Sequence, residues 1–326
     1  MYTPPFTISA HAINLIAEIS GQIERYAIRL EQSDAMKLRK ANRIRTIHSS
    51  LAIEGNTLSE DEVKDIIEGK TVIAPLRQIQ EVKNAIKTYE LYSSLNPFSV
   101  DDLLKAHGTM MMALTDDAGR FRRGGVGVFS EKGLVHMAPP ANRVPELIIN
   151  LFEWLKEAKD HLLIRSCVFH YEFEFIHPFS DGNGRTGRLW QSLILGKLHP
   201  LFEHLPVENM VYANQEAYYN AIQASTAAAN SGPFIDFMLQ EILDALKNHQ
   251  GSPLPQSEYS EVRDKVRVKF GISSGQIIEL IRHNSSITLD EIADTLSVTR
   301  RAIEKKIKEL RDAGYIRREG SNKSGC

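Results

Sequence analysis

Apolar residues recur at spacings of three and four over most of this chain, and that period restricts what the chain can fold into. The pattern runs from about Ser9 to Glu31 and from about Asp34 to Ile53. Such spacing places apolar side chains on one face of an α-helix, whereas a half-buried strand needs strict alternation. Segments with the same period follow at 56–68, 81–92, 100–114, 144–158, 161–176, 185–198 and 214–229. The sequence therefore predicts an all-α fold.

One glycine-rich stretch, 118–140, interrupts the helical pattern. It contains two short β-like pieces, Val126–Phe129 and Leu134–Met137, separated by a loop at 131–133. Two such pieces around a glycine-containing loop predict a β-hairpin. A hairpin in a helical domain is a candidate flap beside a functional site, and a purely structural hairpin is the alternative.

Charge is distributed unevenly along the chain. With 39 Lys and Arg against 41 Asp and Glu, the formal net charge of −2 excludes a chain that is polybasic throughout. Residues 263–326, however, hold 14 Lys and Arg and 9 Asp and Glu, a local net charge of +5. Before them, the stretch 249–255, HQGSPLP, has the composition of a linker. We therefore expect a basic C-terminal module joined to an acidic body.

The cysteine content and the N-terminus narrow the class of protein. The two cysteines, Cys167 and Cys326, exclude a disulfide framework and argue against a Cys-based zinc site. The first basic residue is Arg25, so the N-terminus lacks the charged region of a secretory signal. No apolar run approaches the roughly 18 residues of a membrane span. These features predict a soluble, cytoplasmic protein without a membrane partner.

The segment 176–188, IHPFSDGNGRTGR, has a backbone pattern suited to binding phosphates. Pro178 disfavours helical geometry at His177, and Asp181–Gly184 is dense in residues that tolerate a positive φ. A sharp turn that opens into a helix presents unpaired N–H groups and the positive end of the helix dipole. This backbone therefore predicts an anion site.

Side chains of the same segment agree with that interpretation. Arg185 and Arg188 are three residues apart in the first turns of the following helix, and two guanidinium groups suit a polyphosphate. Asp181 offers an oxygen ligand for the Mg²⁺ that accompanies nucleotides. His177, just before the turn, can remove a proton from an attacking hydroxyl. Each element alone is more typical of an ordinary turn or surface, and their combination in this order is what makes the pattern specific.

The segment resembles the signature HPFx(D/E)GNGRxxR of the Fic family, and every fixed position matches. The matching positions are His177, Pro178, Phe179, Asp181, Gly182, Asn183, Gly184, Arg185 and Arg188. The resemblance implies an all-α core with a β-hairpin flap over the site. It also implies an enzyme that transfers AMP from ATP to a Ser, Thr or Tyr hydroxyl of a target protein.

The resemblance implies a role for each matched residue. His177 would be the general base and Asp181 the Mg²⁺ ligand, while Asn183 and the neighbouring amides would hold the α-phosphate. Arg185 would hold the β- and γ-phosphates and Arg188 the γ-phosphate. The predicted ATP-binding residues are Asp181, Gly182, Asn183, Gly184, Arg185, Thr186, Gly187, Arg188, Tyr218 and Tyr219. For the two tyrosines, packing in the core is the open alternative.

Further segments extend the resemblance. The sequence GRFR at 119–122 resembles the GxFR element that precedes the family's flap. The flap residues expected to dock the target by strand-like pairing are Val126, Gly127, Val128 and Phe129. Related Doc kinases carry lysine at the position of Gly184, so the glycine favours AMP transfer over phosphate transfer. His170 is interpreted as a buried histidine with satisfied hydrogen bonds rather than a catalyst.

A second motif, SLAIEG at 50–55, resembles the Fic inhibitory motif (S/T)xxxE(G/N). Ser50 and Glu54 are four residues apart, so on one helix both would face the same neighbour. Gly55 suits a left-handed cap after that helix. In the family this glutamate pairs with the second arginine of the signature, here Arg188, and blocks productive γ-phosphate binding. The resemblance predicts low resting activity, and it leaves removal of AMP by the same glutamate open as a second activity.

Residues 273–319 have the rhythm of a helix-turn-helix and resemble bacterial winged-helix domains. Thr288 and Thr299 are predicted caps of the second and third helices, and a short wing is expected at 314–320. The basic residues predicted on the third helix are Arg300, Arg301, Lys305, Lys306 and Lys308. Such a module permits DNA binding, and protein binding or a homodimer contact is the alternative.

Together these patterns predict an N-terminal region with the inhibitory motif at 1–95, a Fic core at 96–248, a linker at 249–260 and a winged helix-turn-helix domain at 261–326. The leading hypothesis is a self-inhibited protein adenylyltransferase that uses ATP and Mg²⁺. The alternative is a DNA-binding regulator whose core senses nucleotide. The intact His177 favours the enzyme, because sensing alone needs no base.

Overall fold

The computed structural model of the chain consists almost wholly of helices, as the periodicity predicts. The structure describes residues 2–30, 35–130, 133–248, 287–296 and 298–313, together with Ser274, Ile277, 280–281 and Tyr315. Contacts divide the chain into two compact units, Met1–Gly251 and Ser252–Cys326. Within the described ranges, no helix combines the length and the apolar character that a membrane crossing requires.

The first unit contains a helical array with one hairpin. Its helices are α1 (Ala10–Leu30), α2 (Ala35–Ala52), α3 (Glu60–Ile67), α4 (Leu76–Glu90), α5 (Val100–Met110), α6 (Val144–Glu157), α7 (Leu162–Ile176), α8 (Asn183–Gly196), α9 (Val207–Ala213), α10 (Gln215–Ala228) and α11 (Gly232–Asn248). Short 3₁₀ turns lie at Tyr92–Ser94, Ala141–Arg143 and Pro200–Glu203. The described helices of the second unit include α12 (Leu289–Thr295) and α13 (Arg300–Asp312).

The predicted hairpin is confirmed between α5 and α6. Strands β1 (Gly127–Ser130) and β2 (Gly133–Met137) are antiparallel, with Gly127 opposite Met137. The register shifts between Val128 and Phe129, which is the geometry of a β-bulge.

Helices α7 and α8 form the centre of the first unit. Helix α7 is apolar along most of its length, and nearly all its side chains are buried. Helix α8 packs against it, and Phe169 of α7 and Trp190 of α8 are both fully buried. Because α7 ends at Ile176 and α8 begins at Asn183, this buried pair fixes both ends of the segment 177–182.

Local capping signals position several helix starts. The Ser59 hydroxyl accepts a hydrogen bond from the backbone N–H of Glu62, whose carboxylate accepts one from the N–H of Ser59 at 2.8 Å. This reciprocal arrangement is a capping box. In the second unit, Thr299 caps α13 by accepting from the N–H of Ala302 at 3.3 Å, as predicted.

Other boundaries differ from the prediction. Helices α9 and α11 were not predicted, because α9 is short and α11 starts with Gly232-Pro233, which are typical of a loop. Helix α8 begins two residues earlier than expected, at Asn183. The linker at 249–260, most of the first helix of the C-terminal module and most of the wing lie outside the described residues.

Candidate active site

The segment 177–182 leaves α7 through an unusual backbone conformation. His177 ends the helix with φ 50° and ψ 63°, in the left-handed region that non-glycine residues seldom adopt. At Gly182 φ is 80°, and a Cβ atom there would lie 2.6 Å from the sulfur of Met111. Glycine is therefore required at Gly182, whereas the conformation of His177 must be held by its surroundings.

Arg122 supplies that support. The side chain is buried, and its Nε donates to the carbonyl of His177 at 2.7 Å. Its Nη2 donates to the carbonyls of Pro139 at 2.6 Å and Ile176 at 3.3 Å, and Nη1 to that of Gly124 at 2.7 Å. Sequence reasoning placed Arg122 in a motif without assigning this role, since its acceptors are backbone atoms that no side-chain pattern reveals. The result is a clamp joining the histidine to the base of the hairpin.

The imidazole of His177 is largely buried, with its side chain 19% exposed. Its Nδ1 lies 3.4 Å from the backbone oxygen of Glu174 and 3.8 Å from that residue's Oε2. Because Nδ1 faces its own helix, Nε2 is the nitrogen on the opposite side of the ring. A carbonyl and a carboxylate beside Nδ1 both favour a proton on that atom.

Asp181 lies in the turn with its carboxylate 38% exposed. Oδ1 accepts from the N–H of Gly182 at 2.6 Å and from Nη2 of Arg185 at 3.1 Å. Oδ2 lies 3.3 Å from Nη2 of Arg77 on α4, a contact that sequence reasoning missed because it joins distant segments. The side chains of Asp181 and Arg185 are thus brought together at the start of α8.

His107 on α5 contacts the turn that carries Asp181. Its Nδ1 accepts from the N–H of Gly119 at 2.9 Å, so its Nε2 donates to the carbonyl of Asp181 at 3.0 Å. The ring stacks on Phe179 with centroids 3.6 Å apart. Burial lowers the pKa of His107, which keeps the ring neutral in this position.

The side chain of Asn183 is used inside the turn. Its Oδ1 accepts from the N–H of Phe179, and its Nδ2 donates to the carbonyl of Phe179, both at 2.9 Å. Thr186 donates to the carbonyl of Gly182 at 2.8 Å. These bonds rigidify the first turn of α8 and present its N-terminus toward any bound anion.

Arg188, one turn further along α8, is buried and bound to the SLAIEG segment. Its Nη2 donates to Oε1 of Glu54 at 2.8 Å and to the carbonyl of Ser50 at 2.9 Å, and its Nε to the Ser50 hydroxyl at 3.3 Å. Burial is the largest single influence and acts to lower the pKa of Arg188, but Glu54, Tyr218 and Glu174 together raise it. A Cβ on Gly184 would lie 2.5 Å from Oε1 of Glu54, so a glycine here lets the carboxylate approach.

One detail of the SLAIEG prediction was wrong. Helix α2 ends at Ala52, so Glu54 lies in the following turn rather than on the helix with Ser50. The turn is closed by bonds from the N–H of Glu54 to Leu51 and of Gly55 to Ala52, each 3.0 Å. Gly55 has φ 86°, the left-handed conformation expected after the helix. Ser50 and Glu54 nevertheless contact the same arginine.

The two predicted tyrosines occupy different environments. Tyr218 is buried, with its hydroxyl 3.0 Å from Nε2 of His170, while Tyr219 is partly exposed. Nδ1 of His170 lies 2.6 Å from Oε1 of Gln191, and burial lowers the pKa of His170 to about 4. His170 is therefore a neutral, hydrogen-bonded core residue, as interpreted. Tyr218 packs in this aromatic core, and Tyr219 is the one of the pair that reaches the surface.

The predicted flap residues lie at the start of the hairpin. Val126 precedes β1 and its carbonyl accepts from the N–H of Ala138 at 3.2 Å, while Gly127, Val128 and Phe129 belong to the strand. The side chains of Val128 and Phe129 lie outside the described residues. A cavity of about 460 Å³, whose lining includes Val126, Arg122 and Ser180, joins the base of the hairpin to the turn.

Two family models match the chain. The Fic/DOC family matches residues 97–195, which include the hairpin and the whole signature segment, and an HTH domain matches residues 275–323. A solved Fic family protein from Desulfovibrio desulfuricans is 39% identical, with a TM-score of 0.74 over 97% of this chain and 94% of that one. Fic-1 from Caenorhabditis elegans, 21% identical with a TM-score of 0.60, covers 75% of this chain and 74% of that chain and shares the fold.

Curated relatives include protein adenylyltransferases. Those of Caenorhabditis elegans and Caenorhabditis briggsae are 30% and 29% identical over 254 residues, or 68% of this chain. The chain spans about half the length of these relatives, 47% in both cases.

Proposed function

Since the chain belongs to the Fic family, we propose that it is a self-inhibited protein adenylyltransferase that moves AMP from ATP to a Ser, Thr or Tyr hydroxyl of a target protein, and to itself. The observation that carries the proposal is the pairing of Arg188 with Glu54 at 2.8 Å beside a complete signature segment. An arginine built to hold a phosphate is occupied by a carboxylate of the same chain. The target protein is defined only by the hydroxyl that it offers.

In this mechanism His177 is the general base. Nδ1 keeps its proton toward Glu174, and Nε2 accepts the proton of the target hydroxyl. The hydroxyl oxygen then bonds to the α-phosphorus while the bond from that phosphorus to the bridging oxygen of the β-phosphate breaks. Pyrophosphate leaves with the electron pair. The clamp on the His177 carbonyl keeps the base in place through this step.

The phosphates would lie along the first turns of α8. The N–H groups of Gly182–Gly184 would bind the α-phosphate, and the guanidinium groups of Arg185 and Arg188 the β- and γ-phosphates. Thr186 and Gly187 belong to the helix that would present these groups. Of the two tyrosines, we assign contact with the nucleotide to Tyr219, because Tyr218 is buried.

In the proposed mechanism, a magnesium ion would bind at Asp181, just before the start of α8. Asp181 carries a partly exposed carboxylate beside Arg185, and one carboxylate completed by phosphate oxygens and water is the usual Mg²⁺ arrangement in nucleotide sites. Among the described residues, no group of three or more His, Cys, Asp or Glu side chains could hold a metal ion. When bound, the ion would neutralise charge on the leaving pyrophosphate.

Glu54 would act as the brake. Its carboxylate and a γ-phosphate are both anions that satisfy Arg188, so they compete for one guanidinium. Replacing Glu54 by glycine removes the competitor and should raise AMP transfer by about tenfold or more. The same carboxylate could position water for the removal of AMP from modified protein, which is the alternative activity at this site.

The test uses ATP labelled separately on the α- and γ-phosphate, incubated with Mg²⁺ and the full chain. The proteins compared are the parent, Glu54→Gly and the double variant Glu54→Gly/His177→Ala. We expect α-label alone on the protein, stronger in Glu54→Gly and absent without His177. Label from the γ-phosphate alone would mean that the protein is a kinase. Equal α-label in the parent and in Glu54→Gly would show that Glu54 does not inhibit AMP transfer.

AMP removal needs its own measurement. The Glu54→Gly protein, once modified with labelled AMP and freed of ATP, is mixed with catalytic amounts of the parent. Loss of label that depends on Glu54 in the added protein would establish the reverse activity. Stable label would leave AMP transfer as the activity of this site.

A second candidate function is DNA binding by the C-terminal module, acting with the core as a nucleotide-sensing regulator. Helix α13 exposes a series of basic residues, Arg300, Arg301, Lys305, Lys308 and Arg311. Arg300 is already paired with Asp290 at 2.6 Å and Glu304 at 3.0 Å, which weakens a phosphate-facing surface. Binding of duplex DNA that weakens steeply with salt and is lost in Arg301→Ala/Lys305→Ala would support the regulator. A homodimer in place of DNA binding would be seen as a concentration-dependent mass.

A further inference from the structure

Glu174 is a buried carboxyl one turn before His177 on α7, and the mechanism above gives its side chain no role. The residue is only 7% exposed. Its Oε2 lies 3.8 Å from Nδ1 of His177, and its Oε1 has no hydrogen-bond partner. A Cβ on Gly187 would lie 2.8 Å from Oε1, so the packing of α8 holds the carboxyl close to the ring. A buried carboxyl with an unsatisfied oxygen costs free energy, which points to a functional reason for it.

The other buried carboxyls nearby have different surroundings. Glu172 accepts a hydrogen bond from the hydroxyl of Tyr2 at 3.2 Å, and Glu208 from that of Tyr89 at 3.2 Å. Each of these pairs joins two elements of the fold and explains its own carboxyl. Glu174 has the imidazole of His177 where the others have a tyrosine.

Charged and titratable groups from three further elements face Glu174. They are Arg188 on α8, Glu54 after α2, and Tyr218 and Tyr219 on α10. Burial raises the pKa of Glu174 to about 8, with Arg188 acting to lower it and Glu54 to raise it. The charge of this carboxyl therefore depends on the paired Arg188 and Glu54 at the far end of the signature segment.

We propose that Glu174 is a positioning residue for His177: its carboxylate keeps the ring proton on Nδ1 and stabilises the imidazolium that forms when Nε2 accepts a proton. The inference rests on the proposed AMP transfer and deepens it. One proton passes from the target hydroxyl to Nε2, Nδ1 keeps its own, and Glu174 stays ionised throughout. A carboxylate beside the second nitrogen of a catalytic imidazole plays the same part in Ser-His-Asp triads.

The separation of 3.8 Å is longer than a hydrogen bond, and contacts of this kind between catalytic groups tighten in the Michaelis or transition-state complex. The ring and the carboxyl then titrate as a pair. His177 can accept the proton of the target hydroxyl only after the pair of His177 and Glu174 has released the proton that the two groups share. AMP transfer should therefore rise with pH through about pH 8 and level off only above it.

The kinetic test is made in the Glu54→Gly protein, with Glu174→Gln, Glu174→Asp and the matched control Glu172→Gln. Glu172 is also a buried carboxyl of α7, and burial raises its pKa to about 7, so its variant reports what a merely structural change does. For Glu174→Gln we expect kcat to fall about tenfold or more with KM for ATP unchanged. Glu174→Asp should retain more activity than Glu174→Gln, and the pH rise of Glu174→Gln should end at lower pH.

A second measurement does not depend on activity. The ring nitrogens of His177 are titrated by NMR in the same proteins without nucleotide. We expect the ring to lose its proton at lower pH in Glu174→Gln than in Glu172→Gln or in their shared background. An unchanged titration, or a kcat that Glu172→Gln lowers as much as Glu174→Gln, overturns the proposal. If Glu54→Gly transfers no AMP, the proposed function fails, and the titration alone then supports or overturns the pair.

Discussion

The signature segment is held at its two ends by different kinds of contact. At the His177 end, Arg122 binds backbone carbonyls, so the support belongs to the fold and no ligand can replace it. At the far end, Arg188 is held by Glu54, a carboxylate from another segment that is 32% exposed. One anion can be exchanged for another without disturbing the helix. Under the proposed function, this difference would keep the base assembled at all times and leave the binding of the γ-phosphate open to regulation.

The position of Glu54 depends on neighbours outside α2. The Ser49 hydroxyl lies 3.1 Å from Oδ1 of Asn209 on α9, and Gln215 at the start of α10 donates to the carbonyl of Ile53 at 3.1 Å. Any event that shifts α9 or α10 would therefore move the carboxylate. At the His177 end, by contrast, Arg122 donates directly to the carbonyls of Ile176 and His177.

The largest effect is expected from removing the Arg122 hydrogen bonds that hold the His177 end of the signature segment. Arg122→Gln removes the donor from the buried carbonyl of Ile176, at about 1–3 kcal/mol, weakens three part-buried hydrogen bonds and releases the strained backbone at His177. In the Glu54→Gly background we expect AMP transfer to fall about 100-fold and the melting temperature to drop by several degrees. Labelled-AMP transfer and thermal unfolding measure the two effects.

The control is the neighbouring exposed arginine, as Arg123→Gln. This substitution also removes one positive charge but leaves the Arg122 hydrogen bonds intact. AMP transfer and the melting temperature should therefore stay close to those of Glu54→Gly alone. Full activity in Arg122→Gln would show that the left-handed His177 is held by other contacts, and the distinction between the two ends would collapse.

A smaller effect is expected from weakening the contact between Glu54 and Arg188 while keeping the size of the Glu54 side chain. Glu54→Gln keeps the size of the side chain but loses the charge, and charge-assisted hydrogen bonds are about twice as strong as neutral ones. We expect AMP transfer about tenfold above the parent yet below Glu54→Gly. Glu60→Gln, an exposed change at the start of α3, should behave as the parent. If Glu54→Gln is as inactive as the parent, the brake acts by bulk rather than by charge.

Much of this organisation could be predicted from local sequence. The signature segment and the SLAIEG motif each depend on residues that are close together in sequence, so their spacing was informative together with the family resemblance. The residue types at the Arg188 end suggested the pairing with Glu54 through a family resemblance, and the two side chains lie in contact.

The rest depends on contacts between distant segments. The acceptors of Arg122 are carbonyls up to 55 residues away, and carbonyls carry no residue-type signal. Glu174 was not singled out because α7 is apolar on almost every side, so a carboxyl there has no periodic pattern to violate. Tyr218 and Tyr219 are adjacent in sequence, yet only the packing of α10 decides which one is buried.

The smallest effect is expected on the pH dependence of stability, through Glu208 on α9. Burial raises the pKa of Glu208 to about 7, although Arg188 acts to lower it. Its value in the unfolded chain is 4.5, so between these pH values the folded state binds more protons and loses stability as pH rises. Glu172 and Glu174 contribute in the same direction. Buried histidines with lowered pKa values, such as His170, act in the opposite direction below about pH 6.5. We therefore expect the melting temperature of the parent to fall between about pH 6.5 and 8, and Glu208→Gln to reduce that fall by a few degrees. The exposed Glu203→Gln should keep the full pH dependence, and an undiminished fall in Glu208→Gln would mean that Glu208 is already ionised beside Arg188 in the folded protein.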